Sequence, residues 1–201
     1  MNIAVFASGN GSNFSAIAKA RKSGKIKGDL ALLVCDNPQA GVIRRAKRAG
    51  TRIALVQRKD FISKKDFEEK IIGLLKENNI GLIVLAGYMR ILSPEFVEAY
   101  RGRIINIHPS LLPSFKGGHG IRDAFGYGAK VTGVTVHFVD AETDNGPIIL
   151  QAPVKIEEND TPGSLEARIH KLEHKLYPQA IELFLEGKLK ISGRKVRVST
   201  R

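Results

Sequence analysis

The sequence predicts an α/β fold built on a mostly parallel, twisted sheet with helices on both faces. Short apolar runs rich in β-branched residues alternate with helical patterns through the first half of the chain, and such alternation is typical of βαβ units. The run Leu82–Ala86 is apolar at every position, as in a strand covered on both faces. The first strand also ends in a glycine-rich turn. Together these features indicate a Rossmann-like architecture.

Each element has its own local signal. Strands are predicted where apolar residues run together, and helices where apolar residues recur at helical spacing. Alternation over 131–140 is typical of a less fully buried, antiparallel strand, and Thr161-Pro162 begins a long helix with proline at its first position. The predicted strands are 2–7, 30–34, 52–56, 82–86, 103–107, 131–140 and 147–156; the predicted helices are 14–18, 40–49, 67–75 and 162–187; 108–120 is a loop and 188–198 a hairpin.

Length and composition predict one ordinary globular domain. The chain has 201 residues, of which 43% are hydrophobic, enough for a buried core. We expect a single domain over 1–201 with a basic tail at about 188–201. One cysteine excludes an internal disulfide and a cysteine-based zinc site. The N-terminus shows no basic region of a signal peptide, so we expect a cytoplasmic protein without a membrane span.

The strong positive charge is compatible with several partners. Lysine and arginine exceed the acidic residues and give a formal net charge of +12. Such a surface binds nucleic acid, anionic membranes or small anionic substrates, or it serves solubility alone. An RNA-binding α/β module is therefore one alternative, although the sequence offers no aromatic-rich sheet face for stacking bases.

The turn Ser8–Asn13 lies between the first strand and the first helix. Backbone N–H groups at a helix start attract anions, and glycine allows close approach to the backbone. The pattern matches neither Gly-x-Gly-x-x-Gly nor a Walker A loop. It therefore indicates a single phosphate, while a plain strand-to-helix turn with a Ser or Asn cap remains an equal alternative.

Asn106 and His108 end the fifth predicted strand. Residues two apart on a strand project from the same face, so both are expected at the carboxyl edge of the sheet, where open α/β folds bind ligands. Asn can donate a hydrogen bond to an oxyanion and His can move a proton. Asp144, in a polar turn, would orient His108 if that turn folds back to it; otherwise it is only a turn residue.

His170 and His174 are spaced like metal ligands on the last helix. No third ligand is evident and no His-Glu-x-x-His motif is present. The residues alone indicate an exposed polar face comprising Lys171, Glu173 and His174, so no metal is expected.

Four segments together resemble the folate-dependent formyltransferase family, and within it the branch that formylates glycinamide ribonucleotide in purine synthesis. The resemblance extends over nearly the whole chain, and the third segment is shared by the wider family. The segments are Phe6–Asn13, Leu85–Leu92, Ile105–Pro113 and Asp144–Ile149.

The resemblance implies a formyltransferase fold and assigns residues to three sites. The catalytic residues would be Asn106, His108 and Asp144. The ribonucleotide would be held by Gly11, Ser12 and Asn13 at its phosphate, and by His170, Lys171 and Glu173. The folate would be held by Lys64, Met89, Arg90, Ile91, Leu92, Asp140, Ala141, Glu142 and Thr143. Two positions depart from the family pattern: Lys64 stands where Arg is expected, and Phe115–Gly118 replaces an aromatic-Pro-Gly turn.

The implied reaction is transfer of the formyl group of 10-formyltetrahydrofolate to the amine of glycinamide ribonucleotide. The implied partners are these two small molecules, with no metal, nucleic acid or membrane, in a monomer or homodimer. Two relatives share the catalytic core. Methionyl-tRNA formyltransferase would require a further C-terminal domain, and formyltetrahydrofolate hydrolase usually carries an N-terminal regulatory domain, so both are less favoured.

Overall fold

The structure of the protein is a computed structural model that describes residues 1–199. The chain divides into two compact units, Met1–Ile105 and the part from Asn106 onward. Among residues 1–199, no helix is long and apolar enough to span a membrane.

The first unit is an alternating α/β unit. Its strands form a parallel sheet in the order β3-β2-β1-β4, and Ile3–Phe6 of the central strand are completely buried. The elements are β1 Asn2–Phe6, α1 Ser12–Lys22, β2 Asp29–Cys35, α2 Gly41–Ala49, β3 Arg52–Leu55, a 3-10 turn Arg58–Asp60, α3 Lys64–Glu77, β4 Ile80–Leu85 and α4 Pro94–Ala99. Strand β5, Ile104–His108, crosses into the second unit.

The second unit combines an antiparallel pair with a long helix. Its strands run in the order β6-β7-β9-β8, with Val134 opposite Ala152 in the antiparallel β6–β7 pair. Helix α6 packs against both of these strands. The elements are α5 Gly120–Tyr127, β6 Val131–Phe138, β7 Ile148–Lys155, α6 Pro162–Leu185, β8 Leu189–Ser192 and β9 Lys195–Val198.

The predicted α/β class with a mostly parallel sheet is confirmed. The long helix begins at Pro162, as predicted, because the Thr161 and Ser164 side chains form a reciprocal capping box. The terminal hairpin also forms, around Gly193 in a left-handed conformation. The single-domain assignment stays a prediction.

Three local expectations were wrong or incomplete. Strand β6 is not less buried, since seven of its eight residues are inaccessible; the exposed alternation lies on β7. The segment predicted as loop ends in α5, which was missed because two glycines in eight residues weaken the helical pattern. Helix α4 was also missed, although Ser93 caps it and Pro94 occupies its first position.

Candidate active site

Asn106, His108 and Asp144 lie together in the second unit. Asn106 and His108 are two residues apart on β5, and Asp144 lies in the connection between β6 and β7. The Asn106 Nδ2 atom donates to Asp144 Oδ1 over 3.4 Å, and His108 Nδ1 is 3.3 Å from Asp144 Oδ2. One carboxylate therefore contacts both residues that the strand presents.

The Asp144 carboxylate is held by its own loop as well as by its neighbours. Its backbone adopts a left-handed conformation with φ 49°, which Asp tolerates better than most residues. The Gly117 N–H donates to Oδ2 over 2.8 Å. Burial alone would raise the pKa of Asp144, but its contacts with His137 and with the Gly117 N–H, together with the nearby His108, outweigh burial and lower that pKa. Asp144 is therefore an anion at neutral pH.

His108 has an oxygen acceptor at each ring nitrogen. The ring is 4% exposed. Its Nε2 atom is 2.8 Å from the Phe115 carbonyl oxygen, and Nδ1 faces Asp144. Because a neutral imidazole has only one N–H, only the doubly protonated ring donates to both oxygens. The Phe115 carbonyl oxygen can only accept, so Nε2 is the nitrogen that presents an N–H toward the position of a substrate.

His137 is a buried histidine that the sequence analysis missed. It is 2% exposed on β6, its Nδ1 lies 2.8 Å from the Phe138 carbonyl oxygen, and its Nε2 lies 3.2 Å from Asn106 Nδ2. Since Nδ1–H must donate to the carbonyl, Nε2 is the acceptor and Asn106 turns its amino group toward it. The signal was the polar face of β6, which carries Thr135 and His137, yet alternation alone does not show that this face is buried.

Thr135 fixes the loop that follows β5. Its Oγ1 donates to the Ser110 carbonyl oxygen over 2.7 Å and accepts from the Leu112 N–H over 3.1 Å. The Gln151 side chain, opposite Thr135 across the β6–β7 pair, donates to Thr135 Oγ1 and to the Leu112 carbonyl oxygen. The backbone beside the three residues is thus anchored by the buried Thr135 side chain and by Gln151.

The predicted phosphate loop precedes α1 in the first unit. Gly11 is the residue before the helix, with φ 81° and no side chain to cap the first turn. Ser12 and Asn13 begin the helix, where backbone N–H groups lack intrahelical acceptors. A Cβ at Gly11 would lie 2.6 Å from the Val42 side chain. Glycine is therefore required here by backbone conformation and by the close approach of α2.

The predicted folate residues of the first unit follow β4 and begin α3. Met89 and Ile91 are 75% and 70% exposed, whereas Leu92 is buried. The Arg90 Nε atom pairs with Asp36 at 2.5 Å, and its guanidinium lies over the Phe67 ring. The Lys64 ammonium is 3.8 Å from the buried Glu68 carboxylate. This loop thus presents two exposed apolar side chains beside an arginine that is paired with Asp36.

The remaining predicted folate residues, 140–143, lie in the β6–β7 connection of the second unit. Asp140 organises this turn because its carboxylate accepts from the Glu142 N–H at 3.0 Å and from the Asn145 amide at 3.2 Å. Ala141, Glu142 and Thr143 are exposed. The turn carries the chain directly to Asp144.

The predicted ribonucleotide residues on α6 have three different environments. His170 Nδ1 is 2.9 Å from the Glu173 carboxylate, and this hydrogen bond raises the pKa of His170. Lys171 is exposed. Glu173 is only 4% exposed, so the expectation of an exposed polar face was wrong for this residue, because its face of α6 packs inward. No group of three or more His, Cys, Asp or Glu side chains arranged for a metal occurs within 1–199.

Comparison with known proteins places this geometry in a family. The formyl transferase family model matches residues 1–181. The chain is 50% identical over 182 residues to phosphoribosylglycinamide formyltransferase of Bacillus subtilis, covering 90% of this chain and 93% of that protein. It is 42% identical over 191 residues to the Escherichia coli enzyme of the same name, covering 95% and 90%.

A solved structure agrees with both matches. Glycinamide ribonucleotide transformylase 1 from Symbiobacterium toebii superimposes with a TM-score of 0.96 at 43% identity, covering 98% of this chain and 93% of that one. The sequence and the fold lead to the same conclusion: this chain belongs to the formyl transferase family.

Proposed function

We propose that this chain transfers the formyl group of 10-formyltetrahydrofolate to the amine of glycinamide ribonucleotide, a step of purine synthesis. The observation that carries the proposal is the single Asp144 carboxylate in contact with both Asn106 and His108. Relatives that match nearly the full chain bear names of this activity.

The site supplies hydrogen-bond donors for an acyl transfer. When an amine attacks a formyl carbon, the carbonyl oxygen becomes an oxyanion that needs fixed donors. His108 Nε2–H now donates to the Phe115 carbonyl, and Asn106 Nδ2 holds a long contact with Asp144. A formyl oxygen would replace Phe115 at His108 and the Asp144 contact at Asn106. Binding therefore requires the Phe115–Gly118 loop to release His108.

His108 and Asp144 also take part in the proton transfer that accompanies formyl transfer. A carbon–nitrogen bond to the attacking amine forms and the bond to the folate nitrogen breaks, so the amine loses one proton and the leaving nitrogen gains one. His108 can donate the proton that the leaving nitrogen needs, and the ring, neutral after that donation, takes up the proton that the amine loses. Asp144, an anion beside Nδ1, favours the protonated ring before this transfer.

The proposed substrate contacts use chemistry that the residues possess. Start-of-helix N–H groups at Gly11, Ser12 and Asn13 suit a phosphate. The carboxylate of Glu173, with His170 and Lys171 on the same helix, supplies polar contacts for the rest of the ribonucleotide. The folate would contact Lys64, the loop 89–92 and the turn 140–143.

His137 acts in this proposal as a positioning residue for Asn106. An amide can present either its oxygen or its nitrogen, and only the nitrogen can donate to an oxyanion. The His137 Nε2 acceptor selects the orientation that turns the amino group into the site. Because His137 is held by the Phe138 carbonyl, the orientation is set before substrate arrives.

A spectroscopic assay with purified protein tests the function. Deformylation of a 10-formyl folate is followed with glycinamide ribonucleotide present and then with each substrate omitted in turn. The proposal predicts turnover only when both are present. Turnover of the folate without the amine would instead establish the hydrolase reaction. Turnover of the folate with charged initiator tRNA, but not with glycinamide ribonucleotide, would establish the tRNA formyltransferase.

The proposal also covers cellular location, oligomeric state and partners. We propose a cytoplasmic monomer or homodimer of one functional domain that acts on the two small molecules without nucleic acid, membrane or metal. Light scattering on the purified protein would report the mass of the particle. A tetramer or larger assembly would contradict this part of the proposal.

A further inference from the structure

A cleft lined by arginines lies on the first unit, outside the residues assigned above. It has a volume of about 180 Å³ and is lined by Asn10, Gly41, Arg44, Arg45 and Arg48. Arg44 and Arg48 are one helical turn apart and share a face of α2. Within the described residues, no carboxylate lines the cleft. We call it the arginine cleft.

One arginine ties the cleft to the proposed phosphate loop. Arg45 donates from Nε to the Asn10 carbonyl oxygen at 2.8 Å and from a terminal nitrogen to the Asn10 side chain at 2.9 Å. Its other terminal nitrogen reaches Ser15 Oγ at 3.0 Å. The Val42 N–H also donates to the Gly9 carbonyl oxygen. The start of α2 is therefore fixed directly against the loop that leads into Gly11.

The other two arginines remain uncompensated. Arg44 and Arg48 are exposed, and neither side chain makes a hydrogen bond or ion pair within residues 1–199. Their charges add to that of Arg45. Only Arg44 lies toward the positive end of α2, whose first turn holds no acidic residue, because Arg48 is in the last turn. Guanidinium groups bind phosphate through paired hydrogen bonds. The cleft thus has the chemistry of a phosphate site.

We propose that the arginine cleft captures the phosphate monoester of the incoming ribonucleotide and delivers it to the loop at Gly11–Asn13. The inference rests on the proposed function for the identity of the substrate. The cleft and the loop share Asn10, so a phosphate moves between them without leaving the positive field. Focused charge of this kind raises the association rate of an anionic substrate and loses its effect as salt rises. Part of the net positive charge of the chain thereby serves to attract the anionic substrate.

The test compares two double variants of equal charge. Arg44→Gln with Arg48→Gln removes the free charges of the cleft. Lys25→Gln with Lys27→Gln is the control, because both lysines are exposed. They lie in the connection that enters β2, whereas the phosphate loop leaves the parallel strand β1, so the two positions are at opposite edges of the sheet. Each variant removes two charges from the +12 of the chain. Inorganic phosphate is the binding probe, followed at low salt by NMR of the backbone amides of α2, which are present in both variants.

The cleft variant is expected to lose most of the phosphate-dependent shifts in α2 while the control keeps them. Its kcat/KM for the ribonucleotide should lie about threefold to tenfold below wild type at low salt. This difference should narrow at high salt, because screening removes the steering from wild type, while kcat and the folate KM should not change. Equal behaviour of the two variants in both measurements would overturn the proposal. Since the phosphate titration needs no turnover, an inactive wild type that still binds phosphate in the cleft would refute the proposed function and not the phosphate site.

Discussion

If His137 acts only by orienting Asn106, replacing His137 should lower kcat when Asn106 is present and have little further effect on kcat when Asn106 is absent. Replacing His137 by Leu deletes the Nε2 acceptor 3.2 Å from Asn106 Nδ2 and leaves the buried Phe138 carbonyl without its donor. The orienting hydrogen bond is worth about 0.5–1.5 kcal/mol, and complete loss of an oxyanion donor costs about 2.7–4 kcal/mol. The His137→Leu variant should therefore lower kcat by about tenfold to a hundredfold, with little change in either KM.

The assay is a double-mutant cycle measured at saturating substrates. The variants are His137→Leu, Asn106→Ala and the pair, with thermal melts to confirm that each is folded. Coupling predicts that the pair is scarcely slower than Asn106→Ala alone, because the residue to be positioned is already gone. His137→Gln, which offers an amide oxygen to Asn106, should recover part of the rate. Independent, multiplying losses in the pair would refute the positioning role.

Two further predictions concern stability. Gly11→Ala should lower the free energy of unfolding by about 2–4 kcal/mol, since it combines a left-handed backbone with a contact at the Val42 side chain; urea melts against Gly9→Ala, whose added Cβ meets open space, check this. The stability that His170 contributes should be complete below its ordinary pKa of 6.5 and lost as pH rises through the raised pKa of the folded state. The measurement is the difference in free energy of unfolding between wild type and His170→Asn as a function of pH. A difference that widens as pH rises would contradict the prediction.

The sequence predicted the fold wherever apolar spacing alone decides the structure. Strand β1 and helix α6 have strong local signals, a continuous apolar run and a proline-started amphipathic stripe. Helix α5 does not, because packing against α6 stabilises a segment weakened by two glycines. Tertiary contacts supplied what local propensity lacked.

The candidate site was predictable in part for the same reason. The two-residue spacing of Asn106 and His108 places them on one face of a strand, whereas the position of Asp144 depends on how a turn folds back over a long stretch of chain. Only the resemblance to the family connected Asp144 to the other two residues. His137 escaped notice because its strand face is covered by the loop after β5, which Thr135 bonds on the same face, and alternation alone does not show that cover.

The arginine cleft could not be predicted because it needs two separate segments. Arg44 and Arg48 are one turn apart on any helix covering those residues, but the concave wall comes from Asn10, far away in sequence. Hydrogen bonds from Arg45 to Asn10 hold α2 against the loop and so form that wall. From the sequence, the same arginines indicate only a basic helix face.

The central claim is that the cluster of Asn106, His108 and Asp144 carries formyl transfer. The most direct measurement follows a labelled formyl group from 10-formyltetrahydrofolate to glycinamide ribonucleotide in a single turnover, with wild type and His108→Ala. The account predicts that label reaches the ribonucleotide with wild type, and that the variant still binds both substrates but transfers at least about a hundredfold more slowly. Transfer at the wild-type rate by His108→Ala, or release of the label as formate by wild type, would contradict it.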